Sequence, residues 1–244
     1  FGNICCLLPR FFLHVNKEHS KTMNQQQATP LMADDNFFAQ LNDPQRQAVE
    51  HTDGPLLVLA GAGTGKTRVL TSRIANLVHK GLAYGGQILA VTFTNKAASE
   101  MGRRLENLLG EAARGIWLGT FHSLCVRILR RHAELVNRTA DFTILDSDDQ
   151  QRLIKQILKA DGVDEKRIAP RLVAYYIGRW KDRGLLPDKV TAAELPEHGE
   201  IILNVYRTYQ GRLDTLNCFD FGDLLLSTLI LFQQHKEVLE LYQK

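Results

Sequence analysis

Residues 60–67 read Ala60-Gly61-Ala62-Gly63-Thr64-Gly65-Lys66-Thr67 and follow directly on the apolar run Leu56-Leu57-Val58-Leu59. A run of that length and residue type predicts a short buried strand over residues 56–60. After Lys66, the residues Leu70, Ile74, Leu77 and Val78 fall on one helical face. That helix closes on Lys80-Gly81, a cation and then a glycine suited to a helix end. Strand, glycine turn and helix in this order leave few options for the local fold. The glycines let successive backbone N–H groups turn inward with no side chain in the way. The helix start points its free N–H groups and the positive end of its dipole at the same spot, which favours phosphate. Lys66 adds a mobile positive charge for β- and γ-phosphates, and the Thr67 hydroxyl is a ligand for Mg²⁺. The general pattern G-x-x-x-x-G-K-[ST] has a glycine where this chain has Ala60, a change that ordinary backbone angles tolerate. The competing structural reading is a glycine-rich turn with no ligand, and the strand–loop–helix context argues against it.

The pattern continues along the chain. Asp43-Pro44 opens a helix through Gln45, Ala48 and Val49. Residues 88–93 predict a second strand, near-continuously apolar as in a parallel sheet buried on both faces. Asn95 is expected to cap the next helix, which carries Ala98, Met101, Leu105 and Leu108 inward and stops at Gly110. Residues 116–121 predict a third strand. The alternation implies an α/β fold with a parallel sheet. Beyond Phe121 the signals turn helical. Ser147 and Gln150 fit a capping box ahead of Leu153, Ile154, Ile157 and Leu158, and Asp161-Gly162 ends that helix. Pro170 opens another, with Tyr175, Tyr176, Ile177 and Trp180. A polar linker with Pro187 and Pro196 leads to a helix over 201–209. This region reads as an all-helical subdomain inserted into the α/β one.

The chain has 244 residues, enough for one or two domains. Its formal net charge of +3 does not by itself mark a nucleic-acid binder. No run approaches the ~20 apolar residues that span a bilayer. Residues 224–232 are too short and read as a buried helix. Residues 4–15 are split by Pro9 and Arg10, unlike a secretory signal. Cys5, Cys6, Cys125 and Cys218 lack metal-ligand spacing and suit a reduced, cytoplasmic setting. Residue 1 is Phe, residues 1–22 show no periodicity, and Met23 opens a Gln-rich stretch with Met32 soon after. The expectation is that the authentic chain starts at Met23 or Met32.

Several segments together resemble the UvrD/PcrA/Rep family of superfamily 1A DNA helicases. Residues 41–49 (Leu41-Asn42-Asp43-Pro44-Gln45-Arg46-Gln47-Ala48-Val49) resemble the family's Q motif. Residues 60–70 resemble motif I, including the alanine at its first position. Residues 91–98 (Val91-Thr92-Phe93-Thr94-Asn95-Lys96-Ala97-Ala98) resemble motif Ia, and Gly119-Thr120-Phe121-His122-Ser123 resembles motif Ib. Phe219-Asp220-Phe221-Gly222-Asp223-Leu224-Leu225 resembles the segment that re-enters the motor domain. The likeness covers residues 36–244.

The resemblance implies a P-loop NTPase with a RecA-like sheet, and an ATP- and Mg²⁺-dependent 3′–5′ DNA helicase. Its domains would be an unrelated tail over 1–35, the first part of an ATP-binding domain over 36–121, a helical insertion over 122–216, and a return over 217–244. Lys66 and Thr67 would be catalytic. Gln45, Gly61, Ala62, Gly63, Thr64, Gly65, Lys66, Thr67 and Arg68 would hold nucleotide, Gln45 at the adenine edge and Arg68 along its face. Phe93, Thr94, Asn95, Lys96, Phe121 and His122 sit at predicted strand ends, where parallel sheets expose functional loops. There they would hold single-stranded DNA by base stacking and phosphate contacts. Alone, Phe93 reads more simply as core packing. Implied partners are single-stranded DNA, single-strand/duplex junctions and DNA-repair proteins, in a bacterial cytoplasm and with no membrane. An acidic Walker B pair is expected shortly beyond Lys244, because Asp164-Glu165 lies in the insertion, away from any buried strand. The chain is therefore expected to be an N-terminal piece of a longer helicase, inactive by itself. Charges over 119–217 nearly balance. Arg130-Arg131 and Arg179-Trp180-Lys181 read equally as DNA contacts or solvated helix faces. Three other readings compete: a helicase–nuclease subunit, a non-catalytic nucleotide- or DNA-binding module, and a small-nucleotide kinase.

Overall fold

The computed structural model describes residue 38 and residues 40–164 and 166–243. The expectations for residues 1–35, including a start at Met23 or Met32 and the Cys5-Cys6 pair, lie outside the described residues. The chain divides into two compact units: one runs to Leu124 and takes up the chain again from Glu240, and the other is Cys125–Leu239.

In the first unit, α1 (Asp43–Glu50) is capped by Asn42. The Asn42 side chain accepts from the Gln45 N–H at 3.0 Å, and Gln45 Oε1 accepts from the Asn42 N–H at 3.1 Å. Two otherwise unpaired donors of the helix start are thereby satisfied. Helix α2 (Lys66–His79) opens on Gly65 and closes at Lys80, followed by Gly81 at φ +65°. Strand β1 (Leu89–Thr92), helix α3 (Asn95–Leu109) and strand β2 (Trp117–Thr120) follow, and helix α4 (Phe121–Arg131) begins in this unit and runs on into the second. Strands β1 and β2 pair in parallel, with register running from Leu89↔Trp117 to Thr92↔Thr120. The core gathers Ile74, Ala75, Ile88, Ala90, Met101, Leu105 and Leu109.

Two expectations are corrected here. Thr94, not Asn95, caps α3: its hydroxyl accepts from the Ala97 N–H at 3.1 Å, and Asn95 is the first helical residue. Both residue types cap well, so type alone does not choose between neighbours. Residues 56–60 form no strand and are not buried: Leu57 is 61% and Leu59 85% exposed. A strand exists only through a neighbour that completes its ladder. Among the described residues β1 and β2 pair with each other and nothing pairs with this run. It lines an open groove of about 410 Å³ with Pro44, Gln47, Ala48 and His51.

The second unit contains β3 (Thr143–Leu145), α5 (Ser147–Ala160), α6 (Pro170–Asp182), α7 (Gly199–Thr215), β4 (Cys218–Asp220) and α8 (Phe221–Gln234), and α9 (Lys236–Gln243) follows. It is not all-helical: β3 and β4 pair in parallel from Thr143↔Cys218 to Leu145↔Asp220. Three residues per strand are too few for an alternation to show in the sequence. The cap of α5 is Asp146, whose carboxylate accepts from the N–H groups of Asp148 and Asp149, both at 2.9 Å. Ser147 is already helical, and Gln150 turns its amide to Asp220 instead. The core is larger than that of the first unit and includes Ile154, Ile157, Leu158, Ile177, Tyr206, Tyr209 and Leu213, all 0% exposed. Residues 224–232 are helical as expected and bury Leu224, Leu226 and Leu231, but Leu225 and Leu229 are exposed.

That core encloses a charge cluster. Lys181 Nζ bridges Asp220 Oδ2 and Asp223 Oδ1, each at 2.7 Å, with all three side chains at most 4% exposed. The Tyr209 hydroxyl donates to Asp220 Oδ2 at 2.9 Å, and Gln150 Nε2 donates to the same oxygen at 3.0 Å. Burial pushes the Asp223 carboxyl up to about 6, and the Lys181 ammonium only partly offsets it. Burial also acts against charge on Asp220, but there Lys181 and the hydrogen bonds win and hold it below the ordinary carboxylate range. Two carboxylates thus share one lysine, and their environments push them apart.

Candidate functional site

The loop before α2 has the shape its glycines predict. Gly63 sits at φ +75° and Gly65 at φ +85°, conformations that side chains resist. The Thr64 hydroxyl donates to the Gly61 carbonyl at 2.8 Å and pins the turn. Lys66 is the first residue of α2 and Thr67 the second, so both stand at the helix end where free N–H groups gather. Lys66 Nζ donates to the carbonyls of Ala60 at 2.8 Å and Gly61 at 2.6 Å. The ammonium therefore lies over the loop, and the loop residues 61–64 are exposed to solvent.

Gln45 and Arg68 come to the same place. Gln45 Nε2 donates to the Thr64 carbonyl at 2.9 Å, while its Oε1 serves the α1 cap. Arg68 Nη1 donates to the Gln40 carbonyl at 3.4 Å. A Cβ added at Gly65 would lie 2.9 Å from Gln45 Nε2 and would push that amide off the loop, while the φ of +85° is what calls for glycine there. The sequence did not disclose this second job of Gln45, which braces the loop from a helix about twenty residues upstream.

The strand ends form a second group. Thr92 and Thr120 are register partners, so Phe93 and Phe121 leave the same end of the β1–β2 pair one residue later. Phe93 is 94% exposed and Phe121 51%. Core packing, the simpler reading of Phe93 in isolation, is thereby excluded. Thr94, Asn95, Lys96 and His122 are exposed beside them. The Thr120 hydroxyl donates to Asn95 Oδ1 at 3.4 Å and ties the two junctions together.

At the second junction Ser123 Oγ accepts from the Thr120 N–H at 2.9 Å, and Thr120 Oγ1 accepts from the Ser123 N–H at 3.2 Å. Gly119 makes room for this box, since a Cβ there would lie 2.4 Å from Ser123 Oγ. These two positions support the site without belonging to it. A glycine followed four residues later by a serine is too common a spacing to signal them.

No described helix is long and apolar enough to cross a membrane. Residues 41–244 match the UvrD/REP helicase N-terminal domain. A probable DNA helicase II homolog of Rickettsia conorii is 49% identical over 217 residues, which cover 87% of this chain and 33% of the relative. DNA helicase II of Rickettsia typhi is 48% identical over 218 residues, with 87% and 33% covered. The ATP-dependent DNA helicase PcrA of Staphylococcus epidermidis is 45% identical over 203 residues, with 83% and 28% covered. The chain thus spans about a third of the length of these relatives.

Proposed function

This chain belongs to the UvrD/REP helicase N-terminal domain family, and on that premise we propose that it supplies the nucleotide-gripping part and a share of the DNA track of an ATP-dependent 3′–5′ DNA helicase working in the cytoplasm. The observation that carries the reading is the loop over residues 61–65, whose two left-handed glycines set Lys66 and Thr67 at the head of α2.

The donor set fits a magnesium-bound triphosphate. The loop N–H groups and the α2 start would receive phosphate oxygens, Lys66 would neutralise the β- and γ-phosphates, and the Thr67 hydroxyl would complete the shell of the metal. Gln45 and Arg68 flank the loop where a base would lie. When bound, the nucleotide supplies the free energy of phosphate transfer to water. Lys66 contributes by stabilising charge that grows on the transferring group. Phe93 and Phe121 offer rings for base stacking, and Thr94, Asn95 and Lys96 offer polar groups for phosphate. The chain spans about a third of the length of its relatives, so unwinding is proposed of the whole protein and nucleotide grip of this part of it.

A Lys66→Ala substitution in the whole protein is expected to lower ATP turnover by at least 100-fold, since a charge-stabilising contact of this kind is worth several kcal/mol in the transition state. Steady-state phosphate release with single-stranded DNA present measures it. Turnover near that of the unsubstituted protein would overturn the role given to Lys66.

A further inference from the structure

Helix α6 carries a surface used by neither the glycine loop nor the strand ends. Arg171, Tyr175 and Arg179 recur every four residues and so stand in one row, each about 6 Å along the axis from the last. All three are exposed, Tyr175 by 54%, and Leu172 at 41% widens the apolar part beside the ring. The Arg179 guanidinium lies over the Tyr175 ring, 5.9 Å from its centre.

Tyr175 is braced from below. It meets Tyr176 edge-on at 5.2 Å, and Tyr176 leads at 6.1 Å to buried Trp180, which stacks on buried Tyr206 at 5.8 Å. The exposed ring is the outer end of a packed aromatic chain. The basic pair Arg179 and Lys181 in the sequence divides here, because Lys181 is spent inside the core and Arg179 faces water.

Charge sets what this row attracts. Among the described residues Arg167, Arg171 and Arg179 enter no ion pair, whereas Arg183, one turn beyond Arg179, is held by Glu194 at 2.7 Å. Exposed Lys166 and Arg167 precede the helix in sequence and add positive charge ahead of its start, against Asp164 before it and Asp182 at its end. A guanidinium on each side of a presented ring matches a phosphate on each side of an unstacked base. A duplex keeps its base faces stacked and offers a ring nothing to cover.

We propose that the Arg171–Tyr175–Arg179 row of α6 binds single-stranded nucleic acid, one base on the Tyr175 ring and the flanking phosphates on the two arginines. This rests on the reading that the chain handles DNA and adds to it a contact in the second unit.

The test is fluorescence anisotropy of a labelled oligothymidine with the full 244-residue chain and no nucleotide. Tyr175→Ala should bind about tenfold more weakly, and Tyr175→Phe, which keeps the ring face, should bind as the unsubstituted chain does. Joint Arg171→Ala and Arg179→Ala should reduce the slope of log affinity against log salt by about 1.4. An iodouracil-bearing strand should crosslink to the peptide containing Tyr175.

If these variants bind like the unsubstituted chain while Phe93→Ala binds weakly, the row is not a binding surface and the DNA reading stands. If the arginine variant loses only duplex affinity, the assignment to single strands is overturned. If the unsubstituted chain binds no oligonucleotide, both readings fall.

Discussion

Both units pair two strands in parallel, and in both the second strand passes straight into a helix, Thr120 into Phe121 and Asp220 into Phe221. The junctions are built alike, and Phe221 is 51% exposed just as Phe121 is; they differ in what becomes of the polar groups. In the first unit the strand ends leave Phe93, Thr94, Asn95, Lys96, Phe121 and His122 in water. In the second, Asp220 caps α8 from inside the core, with Lys181, Tyr209 and Gln150 on its carboxylate. A polar group at a strand end either faces a ligand or holds the fold. Partners within the molecule decide which, because a buried charge needs them and an exposed one does not.

The strongest way to break this contrast is to remove the lysine that neutralises the buried side. Lys181→Met leaves two buried carboxylates without a counter-charge and is expected to cost the second unit about 3–5 kcal/mol. Amide hydrogen exchange resolves the two units separately. Protection should fall across α6, α7 and α8 and stay unchanged in α2 and α3. An equal loss in both units would show that the contrast is not local.

A gentler probe is pH. With Asp223 raised to about 6 against 3.8 in the unfolded chain, the folded state holds a proton between those values that the unfolded state has released. Stability of the second unit therefore falls as pH rises from about 4 to about 6, by about 1–2 kcal/mol. Asp220, held below the ordinary range, works in the opposite direction and adds only a little at the acid edge of that window. Subtracting the profile of Asp223→Asn removes the contribution of exposed acids. Identical profiles for the two proteins would refute the assignment.

The smallest expected effect sharpens the other side. Phe93→Ala deletes a ring that is 94% exposed and should leave stability within about 0.5 kcal/mol. The same change should weaken binding of a single-stranded oligonucleotide about fivefold or more. Substantial destabilisation would return Phe93 to the packing role that its residue type suggests.

The sequence made the first unit legible where local chemistry acts alone. Gly63, Gly65, Lys66 and Thr67 declare a turn and a helix start through residue type and spacing, and helix ends at Gly81 and Gly110 follow from glycine alone. Residues 56–60 misled for a physical reason: apolar composition records what a segment prefers, and a strand needs a neighbour as well. The pairing of β3 with β4 was hidden because Thr143 and Cys218 are joined only through tertiary contact. Gln45 was readable as a site residue, but its bond to Thr64 depends on how α1 lies against the loop. Trp180 and Lys181 looked like Arg179, and only the core separates them.

The resting place of the Lys66 ammonium on the carbonyls of Ala60 and Gly61 makes the glycine turn its own first customer. Any incoming anion must swap those two oxygens for better ones, so occupancy there is an exchange rather than an addition. Ligands would then be graded by the density of negative charge they bring to the lysine, and a weakly charged mimic would leave it where it lies.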